Sequence, residues 1–162
     1  MDIYEFLESG NIEYVRYDHP PVYTCEEADK LTPDMPGEKI KNLFICDDKG
    51  KNHFLVVVGH EKTVDLKELA KHLEVKKLRF ASPDRLKKYL NLDPGAVTPL
   101  AVINDDAKAV NLVLDIKLWE AEGIQCHPLV NTSTLYIACD HFRRFLDKAG
   151  YEPKIIDVPE RA

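Results

Sequence analysis

Residues 43 to 58, LFICDDKGKNHFLVVV, decide the fold class because they place two apolar runs on either side of a turn. The runs, 43–46 and 54–58, contain mainly the aromatic and branched side chains that favour strands. Between them, Asp47-Asp48-Lys49-Gly50 supplies the aspartate and glycine residues typical of a tight turn. The stretch therefore predicts an antiparallel hairpin.

Strand-like runs also lie on both sides of this hairpin, at 14–17, 100–103, 110–114 and 135–138. The turn sequence Asn104-Asp105-Asp106 predicts a second hairpin, between the runs at 100–103 and 110–114. Because strands and helices do not alternate strictly, the sequence favours an α+β fold with a mixed or antiparallel sheet.

Helices are indicated by their start and stop signals. Thr24 and Asp65 are each followed three residues later by a glutamate, as in a capping box. Ser82 precedes a proline, which suits the first turn of a helix. Two further helices are predicted over 3–7 and 142–149. The second of them stops at Gly150, which suits a left-handed C-cap.

Composition limits the size and the class of the protein. The chain has 162 residues, 44% of them hydrophobic, with no repeat or Gly/Ser linker, which predicts one domain over residues 1–162. The net charge of -6 argues against a protein that wraps nucleic acid by electrostatics alone. Residues 60–89 nevertheless carry nine lysines and arginines against five acidic residues. Two interpretations of that segment stay open, a solvated helix face and a surface that contacts phosphates.

The four cysteines, Cys25, Cys46, Cys126 and Cys139, form no CxxC pair, which predicts free thiols in a reducing compartment. The sequence has no basic-then-apolar signal peptide and no apolar stretch of about 20 residues, which predicts a cytoplasmic protein without a membrane partner. We expect no metal site, because adjacent Cys126 and His127 would point to opposite sides of an extended segment. No nucleotide-phosphate loop or nucleophile elbow is present, and we expect no cofactor.

Two polar, turn-forming loops are the candidate functional elements. Gly95-Ala96-Val97-Thr98-Pro99 and His127-Pro128-Leu129-Val130-Asn131-Thr132 each lead into a short apolar run. This pattern suggests strand ends that bring backbone amides and a histidine to one place. Lys41-Asn42, at the start of a predicted strand, completes the set. Taken singly, each has an ordinary structural explanation: a solvated lysine, a structural histidine and a turn.

Seven short motifs follow one another along nearly the whole chain: HPPVYTCEEA at 19–28, KNLF at 41–44, FAS at 80–82, PGAVTP at 94–99, HPLVNT at 127–132, FL at 145–146 and GYEP at 150–153. Each motif alone is weak, but the ordered series resembles the YbaK/ProX family of aminoacyl-tRNA editing domains. That family is related to the insertion domain of bacterial prolyl-tRNA synthetase. The HPLVNT and GYEP motifs favour its free-standing ProX branch, whose members hydrolyse alanine mischarged onto proline tRNA. The sequence departs from the family at Asn91, where glycine is more usual, and at Cys126, where an aromatic residue is expected.

The resemblance implies a large mixed, mainly antiparallel sheet with surrounding helices. It also implies hydrolysis of an aminoacyl ester by water, without a metal or a covalent intermediate. The implied partners are the 3′ end of aminoacylated tRNA and, as a docking partner, prolyl-tRNA synthetase.

The resemblance also implies roles for individual residues. Lys41 would hold the tRNA terminus through phosphate, the backbone from Gly95 to Pro99 would orient water or substrate, and His127 and Asn42 would position the ester or the ribose. A small pocket would admit alanine and exclude the proline ring, and it would be lined by the Gly95 loop and by Val22 and Tyr23. The remaining candidate substrate-binding residues are Ala96, Val97, Thr98, Asn131 and Thr132.

Two other interpretations stay open: a noncatalytic RNA-binding module on the same fold, and a domain that binds a synthetase and regulates it. The preferred amino acid also stays open between alanine, cysteine and other small residues.

Overall fold

The computed structural model describes residues 2–21 and 35–161. Its strands are β1 (Val15–Asp18), β2 (Glu38–Asp47), β3 (His53–Gly59), β4 (Leu78–Phe80), β5 (Val110–Asp115), β6 (Gly123–Cys126), β7 (Ser133–Ala138) and β8 (Lys154–Ile156). Its α-helices are α1 (Ile3–Ser9), α2 (Leu66–His72), α3 (Pro83–Leu90), α4 (Ile116–Trp119) and α5 (Cys139–Ala149). A 3-10 helix covers Pro99–Asn104.

The strands form an eight-stranded sheet in the order β1-β7-β6-β2-β3-β5-β8, with β4 also paired to β2. Four pairings are antiparallel and three are parallel. The predicted α+β fold with a mixed, mainly antiparallel sheet is therefore confirmed. The hairpin predicted from residues 43 to 58 is also confirmed, because β2 and β3 pair antiparallel with Cys46 opposite His53.

Strand β2 joins the two halves of the sheet. At its start, Glu38 and Lys39 pair with β6, and at its end, residues 45–47 pair with β4 on the same side. Between these two contacts, residues 40–43 pair only with β3 among the described strands. We call this stretch of strand edge the β2 gap.

Side chains alternate between the two faces of the sheet and form two hydrophobic clusters. Phe44, Leu55 and Val57 belong to the larger cluster, which includes the buried side chains of α1, α3 and α5. Ile45 and Val56 face the other side and pack with α2. Successive residues of β2 consequently face different environments.

The predicted helix caps form in the described part of the chain. Asp65 accepts a hydrogen bond from Glu68 N at 3.1 Å, and Gly150 ends α5 at φ +76°. Only half of the predicted capping box forms, because the Glu68 carboxylate accepts from Lys71 Nζ instead of reaching back. Asn91 ends α3 in the left-handed conformation, at φ +54°, which explains why glycine is more usual there. The capping box predicted at Thr24 lies outside the described residues.

Two expectations about the strands were wrong. Residues 100–103 form the 3-10 helix rather than a strand, because Thr98 caps the start of the helix and Pro99 occupies its first position. The second hairpin is therefore absent from the described sheet, where β5 pairs in parallel with β3 and β8. The Asp105 carboxylate folds back to accept hydrogen bonds from Ala109 N and Val110 N, at 3.0 and 2.8 Å. Strands β4, β6 and β8, each three or four residues long, were not predicted.

Cys46, Cys126 and Cys139 are buried free thiols, as predicted, and Cys25 lies outside the described residues. Within residues 2–21 and 35–161, no helix has the length and apolar character needed to cross a membrane.

Candidate active site

The Gly95 loop is held at both of its ends. Ala96 N donates to Asp93 O at 3.2 Å, and Gly95 has a φ of +93°, so the turn is of the kind that Pro-Gly sequences favour. At the other end, the Thr98 hydroxyl accepts from Leu100 N at 3.3 Å and begins the 3-10 helix. Thr98 and Pro99 are both buried; the Thr98 hydroxyl caps the 3-10 helix, and Pro99 occupies its first position. The loop therefore presents a fixed backbone.

Asn42 reaches this loop from β2. Its amide Nδ2 donates to Val97 O at 3.0 Å, which joins two segments 55 residues apart in sequence. Its Oδ1 is buried and has no hydrogen-bond partner in the described part of the chain. A buried acceptor without a partner is costly in a folded protein, so the requirements of the fold alone do not explain an asparagine at this position. The structure thus brings Asn42 and the Gly95 loop together.

His127 follows β6, in the loop that leads to β7. Its Nδ1 lies 3.0 Å from Ser133 O, and since a carbonyl can only accept, Nδ1 carries the proton. Burial lowers the pKa of His127, and the nearby His19 ring lowers it further, while the Ser133 carbonyl raises it. The imidazole is therefore neutral at physiological pH, with Nε2 as its acceptor.

β6, which leads into the His127 loop, pairs in parallel with the start of β2. Glu38 lies opposite Ile124 and Lys39 opposite Gln125. This pairing ends at Lys39 and Gln125, and strand alternation puts Gln125 and Lys41 on the face opposite Asn42 and Cys126. The structure therefore joins Asn42 to the Gly95 loop, whereas the described contacts of His127 are with Ser133 and His19.

His19 is a polar residue of this region that the sequence reasoning did not single out. Its ring centroid lies 6.3 Å from that of His127, and it is 8% exposed. Nδ1 donates to Pro20 O at 2.8 Å, which leaves Nε2 to accept from the Thr134 hydroxyl at 2.7 Å. The HPP sequence at 19–21, directly after a predicted strand, was the available signal.

The loop between β6 and β7 is closed by backbone contacts. Thr132 O accepts from His19 N at 3.0 Å, and Leu129 has a φ of +67°, which is unusual for a branched side chain. Thr132 is exposed and Asn131 is half-buried. These contacts tie the histidine loop to the segment after β1.

Lys41 lies on the opposite face of β2 from Asn42. It lines a groove with Lys67 of α2, Phe80 of β4 and Arg161. The structure therefore separates Lys41 from the Gly95 loop by one strand. Val22 and Tyr23, the predicted pocket lining, lie outside the described residues.

The chemistry offered by the site is polarisation and orientation. Burial raises the pKa of the Cys126 thiol, the nearest cysteine in sequence to His127, so this group is not a thiolate nucleophile at neutral pH. Among residues 2–21 and 35–161, no three His, Cys, Asp or Glu side chains are grouped to hold a metal ion. What the described residues present is a fixed backbone loop, an unpaired amide oxygen and a neutral histidine.

Comparison with known proteins identifies the family. The family model described as an aminoacyl-tRNA editing domain matches residues 19–145, which include the Gly95 loop, Asn42 and His127. The chain belongs to the aminoacyl-tRNA editing domain family, as its motifs predicted.

Individual relatives match over most of the chain. The prolyl-tRNA editing protein ProX of Acetoanaerobium sticklandii is 37% identical over 94% of this chain and 93% of its own length. The prolyl-tRNA synthetase associated domain-containing protein 1 of Danio rerio is 36% identical over 96% of this chain and 85% of its own length. A candidate trans-editing enzyme for prolyl-tRNA synthetase has the same fold, with a TM-score of 0.68 at 17% identity over 99% of this chain and 96% of the other.

Proposed function

We propose that this protein is a trans-acting deacylase that hydrolyses mischarged tRNA, with alanine on proline tRNA as its substrate. The observation that carries the proposal is the buried, unpaired Oδ1 of Asn42 beside the Gly95 loop, within a chain of the editing family. The name of the ProX relative, a prolyl-tRNA editing protein, supports the choice of tRNA.

In the proposed reaction, Asn42 Oδ1 accepts a hydrogen bond from the terminal ribose, and the Gly95 loop backbone orients the ester carbonyl. His127 Nε2 accepts from the ribose hydroxyl adjacent to the ester, and that hydroxyl orients the attacking water. Water adds to the carbonyl carbon, the bond from this carbon to the ribose oxygen breaks, and the ribose oxygen takes the proton that the water loses. An ester is an activated acyl group, so orientation and polarisation suffice without a protein nucleophile or a metal.

Selection in the proposed reaction is by size. A synthetase pocket built for proline discriminates poorly against alanine, since a methylene or two is worth only about 1 to 3 kcal/mol. A second, smaller pocket near Ala96, which is buried at the Gly95 turn, would admit alanine and exclude the proline ring. Val22 and Tyr23 remain the predicted lining on the other side, and Asn131 and Thr132 remain predicted substrate contacts.

Lys41 is assigned the phosphate of the terminal nucleotide. Its place at the β2 gap, on the other face from Asn42, suits a group that contacts the tRNA backbone rather than the acyl ester. A flexible ammonium is suited to phosphate as a point charge. Prolyl-tRNA synthetase is the proposed docking partner, and the reaction is placed in the cytoplasm with charged tRNA.

The test is single-turnover deacylation of Ala-, Cys- and Pro-tRNA(Pro) by the purified protein. We expect hydrolysis of Ala-tRNA(Pro), slower hydrolysis of the cysteinyl ester and none of the prolyl ester, with EDTA leaving the rates unchanged. Asn42→Asp removes the donor to Val97 O and places a charge beside that carbonyl, so the rate should fall more than in Asn42→Ala. Binding of the charged tRNA without any hydrolysis would instead indicate a noncatalytic module.

A further inference from the structure

Phe80 is the most exposed large apolar side chain among the described residues, at 61%. It lies at the end of β4, opposite Ile45 of β2. Leu78, two residues earlier on the same face, is buried, so the pattern of β4 alone does not account for an exposed ring. The FAS motif at 80–82 is also part of the family resemblance that the proposed reaction leaves unused.

The ring borders a groove of about 430 Å³ whose other polar walls are mainly cationic. Lys41 of β2, Lys67 of α2 and Arg161 line it, with Asp65 as the single carboxylate. Asp65 is already engaged, because it accepts from Glu68 N as the N-cap of α2. In a chain of net charge -6, this concentration of positive charge around an exposed ring is local.

Backbone hydrogen bonds fix the position of Arg161, the cation at the far side of the groove. Val64 and Glu160 form an isolated β-bridge, and Arg161 N donates to Thr63 O at 2.9 Å. Asp65 N donates to Pro159 O at 2.9 Å. Arg161 is therefore presented beside α2 by regular hydrogen bonds.

We propose that this groove binds a short single-stranded RNA segment, with one base stacked on Phe80 and the adjoining phosphates against Lys67, Arg161 and Lys41. An aromatic face among cations is the arrangement that binds single strands without reading their sequence. The apolar lining of the groove is formed by Phe80, Leu43, Leu66 and Val64, and only Phe80 among them is exposed, so a protein interface fits less well.

The inference rests on the proposed function in one respect, since it names the occupant as the unpaired 3′ end of the tRNA substrate. Ile45, the partner of Phe80, is three residues from Asn42 on β2, or about 10 Å along the strand. The β2 gap lies between the two. The terminal nucleotide would occupy the Asn42 face, and the nucleotides before it would pass the gap to the groove.

Binding of uncharged tRNA(Pro), and of a labelled oligonucleotide with the sequence of its single-stranded 3′ end, tests the proposal by fluorescence anisotropy. We expect Phe80→Ala to weaken both about tenfold, Phe80→Tyr to bind as wild type because it keeps the ring, and Lys67→Glu with Arg161→Glu to weaken both further. Ile116→Ala, which removes another exposed apolar side chain on α4, is the matched control and should change nothing.

Unchanged RNA affinity in Phe80→Ala, or an equal loss of affinity in Phe80→Tyr, overturns the proposal that the groove binds RNA. So does a Phe80→Ala protein that binds RNA normally but no longer co-elutes with prolyl-tRNA synthetase, which would make the groove a protein interface. The uncharged ligands keep this test separate from the reaction. A wild-type protein that binds them through Phe80 and fails to deacylate contradicts the proposed function alone.

Discussion

The two faces of β2 differ in how their polar groups are satisfied. On the Asn42 face, the side-chain amide of Asn42 is fixed by a single backbone contact, to Val97 O, and its buried oxygen has no described partner. On the Lys41 face, the cations of an open groove surround an exposed ring. A rigid, desolvated set of dipoles is suited to the reacting ester, whereas an open cationic groove is suited to a polyanion. One strand thus separates the proposed site of hydrolysis from the proposed RNA-binding groove.

His127→Ala should give the largest effect on the proposed reaction. Removal of this half-buried, neutral acceptor should lower the single-turnover rate about 100-fold or more while leaving tRNA affinity nearly unchanged. His72→Ala, at the exposed end of α2, is the control. A His127→Ala protein that deacylates as fast as wild type would show that the histidine only supports its loop.

Gly95→Ala should have the second-largest effect on the proposed reaction. At φ +93° an added side chain strains the turn by about 1 kcal/mol and intrudes where the ester must approach. We expect hydrolysis of Ala-tRNA(Pro) to fall far more than tRNA binding. Gly59→Ala is matched to it, because a Cβ there meets nothing within 4 Å and its φ is not positive. If rate and affinity fall equally, or if only thermal stability is lost, the glycine serves the fold alone.

Charge reversal at Lys76, Lys77, Lys87 and Lys88 should have a smaller effect, confined to binding. All four are exposed on the basic segment at 60–89, outside the groove, and Lys87 lies 3.7 Å from the Asp93 carboxylate. The variant with four glutamates should bind tRNA more weakly than the wild type. The affinity of the wild type itself should depend only weakly on salt concentration. Titrations at several salt concentrations measure both, and unchanged affinity would make this segment a solvated face.

The smallest expected effect is on stability as the pH falls. The folded protein holds the pKa of His127 below 6.5, chiefly by burial, so below about 6.5 the unfolded chain binds a proton that the folded chain does not. The free energy of unfolding should therefore decrease on acidification from pH 7 to 5.5. His53, whose pKa is also lowered by burial and by Arg85, adds to the same trend. His127→Asn should reduce the slope in thermal melts, and an unchanged slope would contradict a neutral buried ring.

The sequence was most informative where a pattern is local. The hairpin at Asp47 to Gly50, the cap at Ser82 and the stop at Gly150 each depend on neighbouring residues, and all three are present. The run at 100–103 failed because its apolar composition suits a buried helix as well as a strand, and Thr98 with Pro99 decided between them.

The sequence predicted which residues belong to the candidate site but not how they are arranged. The motifs named Asn42, the Gly95 loop and His127, but which face of β2 each occupies depends on pairings between distant segments. The separation of Lys41 from Asn42 follows from simple strand alternation once the strand is known. The place of His127 depends on the parallel contact of Lys39 with Gln125, which local sequence does not encode.

The parallel contact between β2 and β6 is short. β2 and β6 are joined through two residue pairs, whereas β2 and β3 are joined through seven. The backbone seam between β1, β6 and β7 on one side and β2, β3, β4, β5 and β8 on the other is thus narrow, although the larger hydrophobic cluster spans it. Amide hydrogen exchange should be fastest at this seam, and the candidate active site lies beside it. We therefore expect these two pairs to open before the β2–β3 hairpin unfolds.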